Sequence, residues 1–170
     1  AEFQLGNLRG KLISLAATPN GKHLYFGTSD GMLYDEALVN NEPVRTTLKG
    51  RQATHTSGIT RIAFSPDGSR MATACYDWKI RLWSTGEDLS KQQPVVLSDF
   101  DYWVMDVRFT RDGNKLLAAG ADKTVRIWDI NSADLYAEVS KKISRELTEE
   151  EWDQYIGKDI PYEKLSRTIR

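Results

Sequence analysis

A gapless internal repeat constrains this chain more than any other feature. The segment from Ile59 to Trp83 aligns with the segment from Val104 to Trp128. In both, a glycine (Gly68, Gly113) precedes an aspartate (Asp77, Asp122) by nine residues, and the aspartate precedes a tryptophan (Trp83, Trp128) by six. A weaker copy lies upstream: Leu12 and Leu15, then Thr18-Pro19-Asn20-Gly21, then Asp30 nine residues after the glycine. The glycines Gly21, Gly68 and Gly113 are 47 and 45 residues apart. A fixed period in this range marks stacked units, each unable to bury its apolar face alone.

Each unit reads as short strands. Ile59, Ile62 and Phe64 open one unit and Val104, Val107 and Phe109 the next. Their irregular first spacing fits a β-bulge at the strand entrance. Asn20-Gly21, Asp67-Gly68 and Asp112-Gly113 are tight-turn dipeptides, because both positions tolerate positive φ. Arg70 to Cys75 and Lys115 to Gly120 carry small residues suited to crowded packing. After a second turn at Asp77 and Asp122, Ile80, Leu82 and Val125, Ile127 alternate with Arg81 and Arg126, the period of a half-buried strand. A fourth, more polar strand is expected at Val44–Leu48, Val95–Ser98 and Leu135–Val139, and a leading strand at Phe3–Leu8. Four antiparallel strands per repeat make one propeller blade.

These residues resemble the WD-repeat β-propeller family over roughly residues 8–140. The resemblance implies an all-β fold, a partial β-propeller of about three four-stranded antiparallel blades, with repeats at about 8–48, 55–98 and 100–139. It implies that His55, Thr73, Asp77 and Trp83 form a hydrogen-bonded network tying one blade together. A buried indole N–H, hydroxyl, imidazole and carboxylate all need partners, and these four can satisfy one another. The third unit keeps Asp122 and Trp128 but has Phe100 at the histidine position and Ala118 at the hydroxyl position, so its network is expected to be incomplete. The first unit has Leu8 at the histidine position and reads as two residues short after Asp30, with Tyr34 in place of the tryptophan.

The pattern changes after Val139. Thr148 with Glu151 makes a capping box, and the acidic first turn suits the helix dipole. Residues 141–170 therefore read as a C-terminal tail with a short helix at about 149–156, ended by Gly157. Trp152 and Tyr155 are expected to dock that helix onto the propeller. This tail resembles the one after the last blade of many bacterial WD-repeat proteins, which implies a bacterial signalling or regulatory parent, some of which carry a catalytic module. Three blades do not close a ring. Either the remaining blades belong to a longer chain, which the start at Ala1-Glu2-Phe3 without methionine favours, or several chains assemble into a complete ring. Both cases lead to expected self-association, because open blade faces and a sheet edge are sticky.

Composition narrows the chemistry. A net charge of −1 argues against a nucleic-acid or anionic-membrane binder driven by bulk charge. The lone Cys75 excludes an intramolecular disulfide and a multi-cysteine zinc site. There is no membrane-length apolar run and no signal-peptide pattern, which leaves the cytoplasm as the default expectation. His23 and His55 lie in different repeats; His23 reads as a surface residue and Cys75 as a small buried one. Asp30, Asp77 and Asp122 sit in separate turns, too far apart for acid–base pairing. Asp99 and Asp101 lack a calcium loop, and Gly157-Lys158 lacks a phosphate-loop pattern. No catalytic residue, metal ligand or cofactor is expected.

Binding is better supported. In the resembled family, partners meet the residues flanking the first aliphatic residue of the opening strand, and the residue before the aspartate. These positions are Gly58, Thr60 and Tyr76 in the second unit, Trp103, Met105 and Ala121 in the third, and Lys11, Ile13 and Ser29 in the first. Tyr76, Trp103 and Met105 stand out, because aromatics and methionine are enriched at interface hot spots. Trp78 extends the patch, and Thr60 completes the set of candidate contact residues. The expected function is a non-catalytic module that recognises a protein or peptide; the other reading is a structural scaffold built from several chains.

Overall fold

The computed structural model describes residues 9–39, 42–43, 49–85, 89 and 92–130. The strands expected at Phe3–Leu8, Val44–Leu48 and Leu135–Val139 and the tail 141–170 lie outside the described residues. The fold is all-β. Blade one holds β1 (Leu12–Ala17), β2 (His23–Thr28) and β3 (Met32–Val39), with the short β4 (Glu42–Pro43) and then β5 (Lys49–Ala53) both pairing with β3. Blade two is β6 (Ile59–Phe64), β7 (Arg70–Cys75), β8 (Ile80–Ser84) and β9 (Val95–Leu97), paired in that order. Blade three contributes β10 (Val104–Phe109), β11 (Lys115–Gly120) and β12 (Val125–Asp129).

The repeated sequence builds repeated local geometry. The pairing register slips between Leu12 and Ser14, between Ile59 and Arg61, and between Val104 and Asp106. Each opening strand therefore carries a β-bulge at the matching residue: Ile13, Thr60 or Met105. The first hairpins are alike as well. Gly21, Gly68 and Gly113 take φ of 68°, 71° and 74°, a left-handed conformation that costs a glycine little. Beside them the Thr18, Ser65 and Thr110 hydroxyls donate to Asn20, Asp67 and Asp112.

Register corrects one sequence reading. Tyr34 pairs with Phe26, as Arg81 pairs with Thr73, so Tyr34 stands at the arginine position. Leu24 pairs with Glu36, as Met71 pairs with Trp83, so the tryptophan position holds Glu36 and no residue is missing. The eye is drawn to the aromatic, but the strand register follows the turn lengths, which are unchanged.

The cores lie between blades. Leu33 of β3 shares one buried cluster with Ile59, Ile62, Met71 and Trp83 of blade two. Ile80, Ala72 and Ala74 of blade two share another with Val104, Val107, Leu116, Ala118 and Phe100. Each large side chain buried this way contributes about 2 kcal/mol relative to exposure. A polar tie crosses each interface: Ser14 donates to the Ile59 carbonyl at 2.6 Å, and Thr60 donates to the Val104 carbonyl at 2.6 Å.

Candidate functional site

Two features concentrate polar or aromatic side chains: a buried network inside blade two, and an aromatic rim at the bulge end of blades two and three. In blade two, Trp83 Nε1–H donates to Thr73 Oγ1 at 3.1 Å. Thr73 Oγ1 lies 2.8 Å from His55 Nε2, and His55 Nδ1 lies 3.1 Å from Asp77 Oδ2. Arg81 donates to the same carboxylate at 2.9 Å. The brace has two tautomeric forms: indole to hydroxyl, hydroxyl to Nε2 and Nδ1–H to carboxylate, or indole and Nε2–H both to the hydroxyl with Nδ1 accepting from the Arg81 guanidinium. Both require a neutral His55. Burial lowers the His55 pKa below 6.5, outweighing the Asp77 hydrogen bond. Burial alone would raise the Asp77 pKa, but hydrogen bonds from His55 and Arg81 hold its carboxyl well below the usual range.

His55, Cys75 and Asp77 bring potential ligand atoms within 4.8 Å of one another. Their chemistry does not suit a cation. The Cys75 thiol donates to the Ser57 carbonyl at 3.1 Å, and burial pushes its pKa up to about 12. Both His55 nitrogens are engaged, and the Arg81 guanidinium already neutralises Asp77. The arrangement works as a structural brace.

Blade three braces itself differently. Trp128 Nε1–H turns to Asp99 Oδ2 at 3.1 Å. The Phe100 ring is buried against Trp128, with centroids 5.9 Å apart. The Arg126 guanidinium lies 4.2 Å from the Phe100 ring centroid and donates to Asp122 at 2.7 Å. Asp122 and Trp128 are thus not joined by the hydrogen-bonded relay expected from sequence; the Phe100 ring and the Arg126 guanidinium lie between them.

At the end of each blade that carries the aspartate turn, one backbone hydrogen bond recurs. Ser29 donates to Lys11, Tyr76 to Gly58 and Ala121 to Trp103, at 2.8, 3.0 and 2.8 Å. This bond brings the residue before each aspartate beside the residue before each opening strand. Across the rim, Tyr76 and Trp103 meet edge to face at 5.2 Å. Trp103 continues to Tyr102 at 5.0 Å, and the Tyr102 ring lies nearly parallel to Trp78, 6.5 Å between centroids. Trp78, Tyr102, Trp103 and Met105 are each 44–49% exposed. Tyr76 is half-buried, and a Cβ at Gly58 would come 3.1 Å from it. Thr60 is also half-buried, its hydroxyl engaged by blade three.

Trp78 adds a backbone observation. Its φ is 67°, in the left-handed region, where Lys123 also sits in blade three and Gly31 in blade one. A side chain there costs about 1 kcal/mol relative to a comfortable conformation. Sequence reasoning missed Tyr102 and Asp99. Neither occupies a repeated position, and the only signal for Tyr102 was its place beside Trp103. His23, half-exposed, faces Asp35 at 3.9 Å and joins neither feature.

Comparison with known proteins places these features in a family. Residues 43–84 and 93–129 match the WD domain, G-beta repeat. The chain is 34% identical over 80 residues to the Periodic tryptophan protein 2 homolog of Caenorhabditis elegans, covering 47% of this chain and 8% of that protein. It is 28% identical over 126 residues to the mRNA export factor of Xenopus tropicalis, covering 71% of this chain and 32% of that protein. The fold overlays the solved RRP9 WD40 repeats with a TM-score of 0.60 at 18% identity, covering 73% of this chain and 37% of that one. The chain thus spans well under half the length of each of these three proteins. With its bulged opening strands, its aspartate turns and the blade-two brace, this chain belongs to the WD-repeat family.

Proposed function

We propose that this chain is a non-catalytic recognition module that takes a protein or peptide on the aromatic rim formed by Tyr76, Trp78, Tyr102 and Trp103, with Met105 beside it in sequence. WD-repeat domains generally mediate protein interactions or act as scaffolds, and generally do so without catalysis. The observation that carries the reading is the unbroken chain of ring contacts from Tyr76 to Trp78 with three of its four rings near half exposure. Rigid aromatic area of this kind buries much apolar surface at small entropic cost. The strained backbone at Trp78 points the same way, since the turn itself gains nothing from an indole. Exposed Lys79 and Asp101, each next to a rim residue in sequence, supply charges of both signs, which suits a peptide with an apolar centre and polar flanks. The animal relatives named above give no support to a bacterial parent.

The test is peptide selection. Peptides displayed in a random library are selected on the wild-type chain and then measured against Trp103→Ala and Trp78→Gly. The reading expects at least tenfold weaker binding to both variants, with a melting temperature unchanged in Trp103→Ala and no lower than wild type in Trp78→Gly, where glycine relieves the left-handed turn. Peptides that bind both variants as tightly as wild type would place recognition elsewhere.

A further inference from the structure

The aromatic rim lies where blades two and three meet, away from the outer faces of the stack. Tyr76 and Trp78 flank Asp77 on a turn of blade two, and Tyr102 and Trp103 come from the connection that enters β10. The backbone beneath the rim is already engaged: the Tyr76 N–H donates to the Gly58 carbonyl, and the Trp103 carbonyl accepts from Ala121. The rim therefore offers side chains and no strand edge. Their polar tips are informative. The Tyr76 and Tyr102 hydroxyls and the Trp78 and Trp103 indole N–H groups have no hydrogen-bond partner among the described residues. An indole can only donate, and a phenol donates readily. Each of the four rings thus joins an apolar face to an unused donor.

We infer that the partner of the rim is a proline-rich segment in the polyproline II conformation, an assignment that rests on the rim being a recognition surface. Proline brings an apolar ring and no N–H, and a polyproline II helix makes no internal hydrogen bonds, so its carbonyls stay free. The charge complementarity is direct: the rim presents the positive ends of N–H and O–H dipoles, and the segment presents the negative ends of C=O dipoles. Other occupants fit worse. An amphipathic helix spends its carbonyls on its own N–H groups and would leave the rim donors facing apolar side chains. An added strand needs an open edge, which the engaged backbone at Tyr76 and Trp103 does not provide. A cation held between ring faces needs a wider slot. Trp78 and Tyr102 are nearly parallel but only 6.5 Å apart, less than the roughly 7 Å taken up by two van der Waals contacts. Exposed Lys79, next to Trp78 in sequence, would also repel it. Tyr76 and Trp78 are two residues apart, so their Cα atoms lie within about 7 Å of each other. That span matches about two residues of polyproline II at about 3.1 Å each. The recognised element is therefore short, a pair or triplet of prolines.

The probe is decaproline, titrated calorimetrically against the full chain. Wild type should bind it saturably, and should bind the same peptide with alternate prolines replaced by alanine clearly more weakly. Trp103→Ala should weaken decaproline binding by about tenfold or more. Tyr76→Phe and Tyr102→Phe keep each ring and remove only its O–H, so each variant should bind about fivefold more weakly, the worth of one hydrogen bond. These two variants carry the test should Trp103→Ala unfold. The inference is overturned if decaproline fails to bind wild type, if the alanine-substituted peptide binds equally well, or if both Phe variants bind as tightly as wild type. The library selection described above separates this failure from failure of the recognition reading. Rim-dependent peptides no richer in proline than the unselected library, or carrying lysine or arginine in its place, overturn the inference and leave recognition standing. A library that returns no rim-dependent peptide overturns both.

Discussion

At the centre of blade two an imidazole joins Thr73 to Asp77, while at the matching point of blade three the Phe100 ring lies under the Arg126 guanidinium. The bulge, the glycine hairpin and the aspartate turn are the same in both. The backbone of a blade is thus set by its turns and bulge, and the interior brace is an exchangeable part. The exchange has consequences. Trp83 is buried with its N–H held inside the blade, whereas the Trp128 N–H reaches out to a residue in the preceding connection. Blade two concentrates its stability in coupled polar groups, and blade three spreads it over ring contacts and an exposed carboxylate.

The largest contrast should come from the tryptophans. Trp83→Ala empties a site between two blades and is expected to cost about 4 kcal/mol in urea unfolding. Trp128→Ala should cost clearly less, and equal losses would break the contrast. Next come the carboxylates. Asp77→Asn removes the charge that anchors His55 and Arg81, for an expected loss of about 2 kcal/mol. Asp122→Asn, at an exposed turn, should shift the unfolding midpoint by a smaller amount.

Acid sensitivity offers a third test. His55 has a folded pKa below its unfolded value near 6.5, so the unfolded chain takes up its proton first. Stability from that residue is complete above about pH 6.5 and is lost as pH falls. Asp77 has a folded pKa below its unfolded value of 3.8, so its contribution persists at lower pH and is lost only on further acidification. Melting followed from about pH 7.5 to about pH 5 should therefore fall less steeply in His55→Phe than in wild type. Parallel curves would remove the histidine from the account.

Transplantation sharpens the comparison further. Phe100→His and Ala118→Thr should each destabilise blade three, and the double variant should recover about 1 kcal/mol of the summed losses if the brace is a transferable unit. The smallest effect belongs to the left-handed turn. Lys123→Gly relieves a side chain at φ 67°, and after the entropic cost of glycine a gain of about 0.5 kcal/mol is expected.

The sequence made the periodic parts of this molecule readable. Asp-Gly turns, the uneven start of each opening strand and the Asp-to-Trp interval all have local causes, and local causes repeat. What it concealed was substitution by a different kind of chemistry. Nothing in the spacing says that Arg126 stacks on Phe100, or that Asp99, read as a failed calcium ligand, accepts the Trp128 N–H. Glu36 was passed over for the same reason: the eye sought an aromatic where register supplied a carboxylate. Thr60 was legible as a rim residue by position, yet its hydroxyl is engaged by the Val104 carbonyl. Non-repeated residues in the connections, Tyr102 above all, have no counterpart to announce them.

The cross-blade hydroxyl ties have one more implication. Apolar faces alone are poor at fixing position, since a leucine is nearly as content a few ångströms along a greasy surface. Ser14 and Thr60 each reach a single carbonyl, and sliding the sheets by one residue would strand a donor and an acceptor together. The ties act as detents: side chains in the wedge-shaped interiors can drift in identity over time while the height of each wedge against its neighbour stays put.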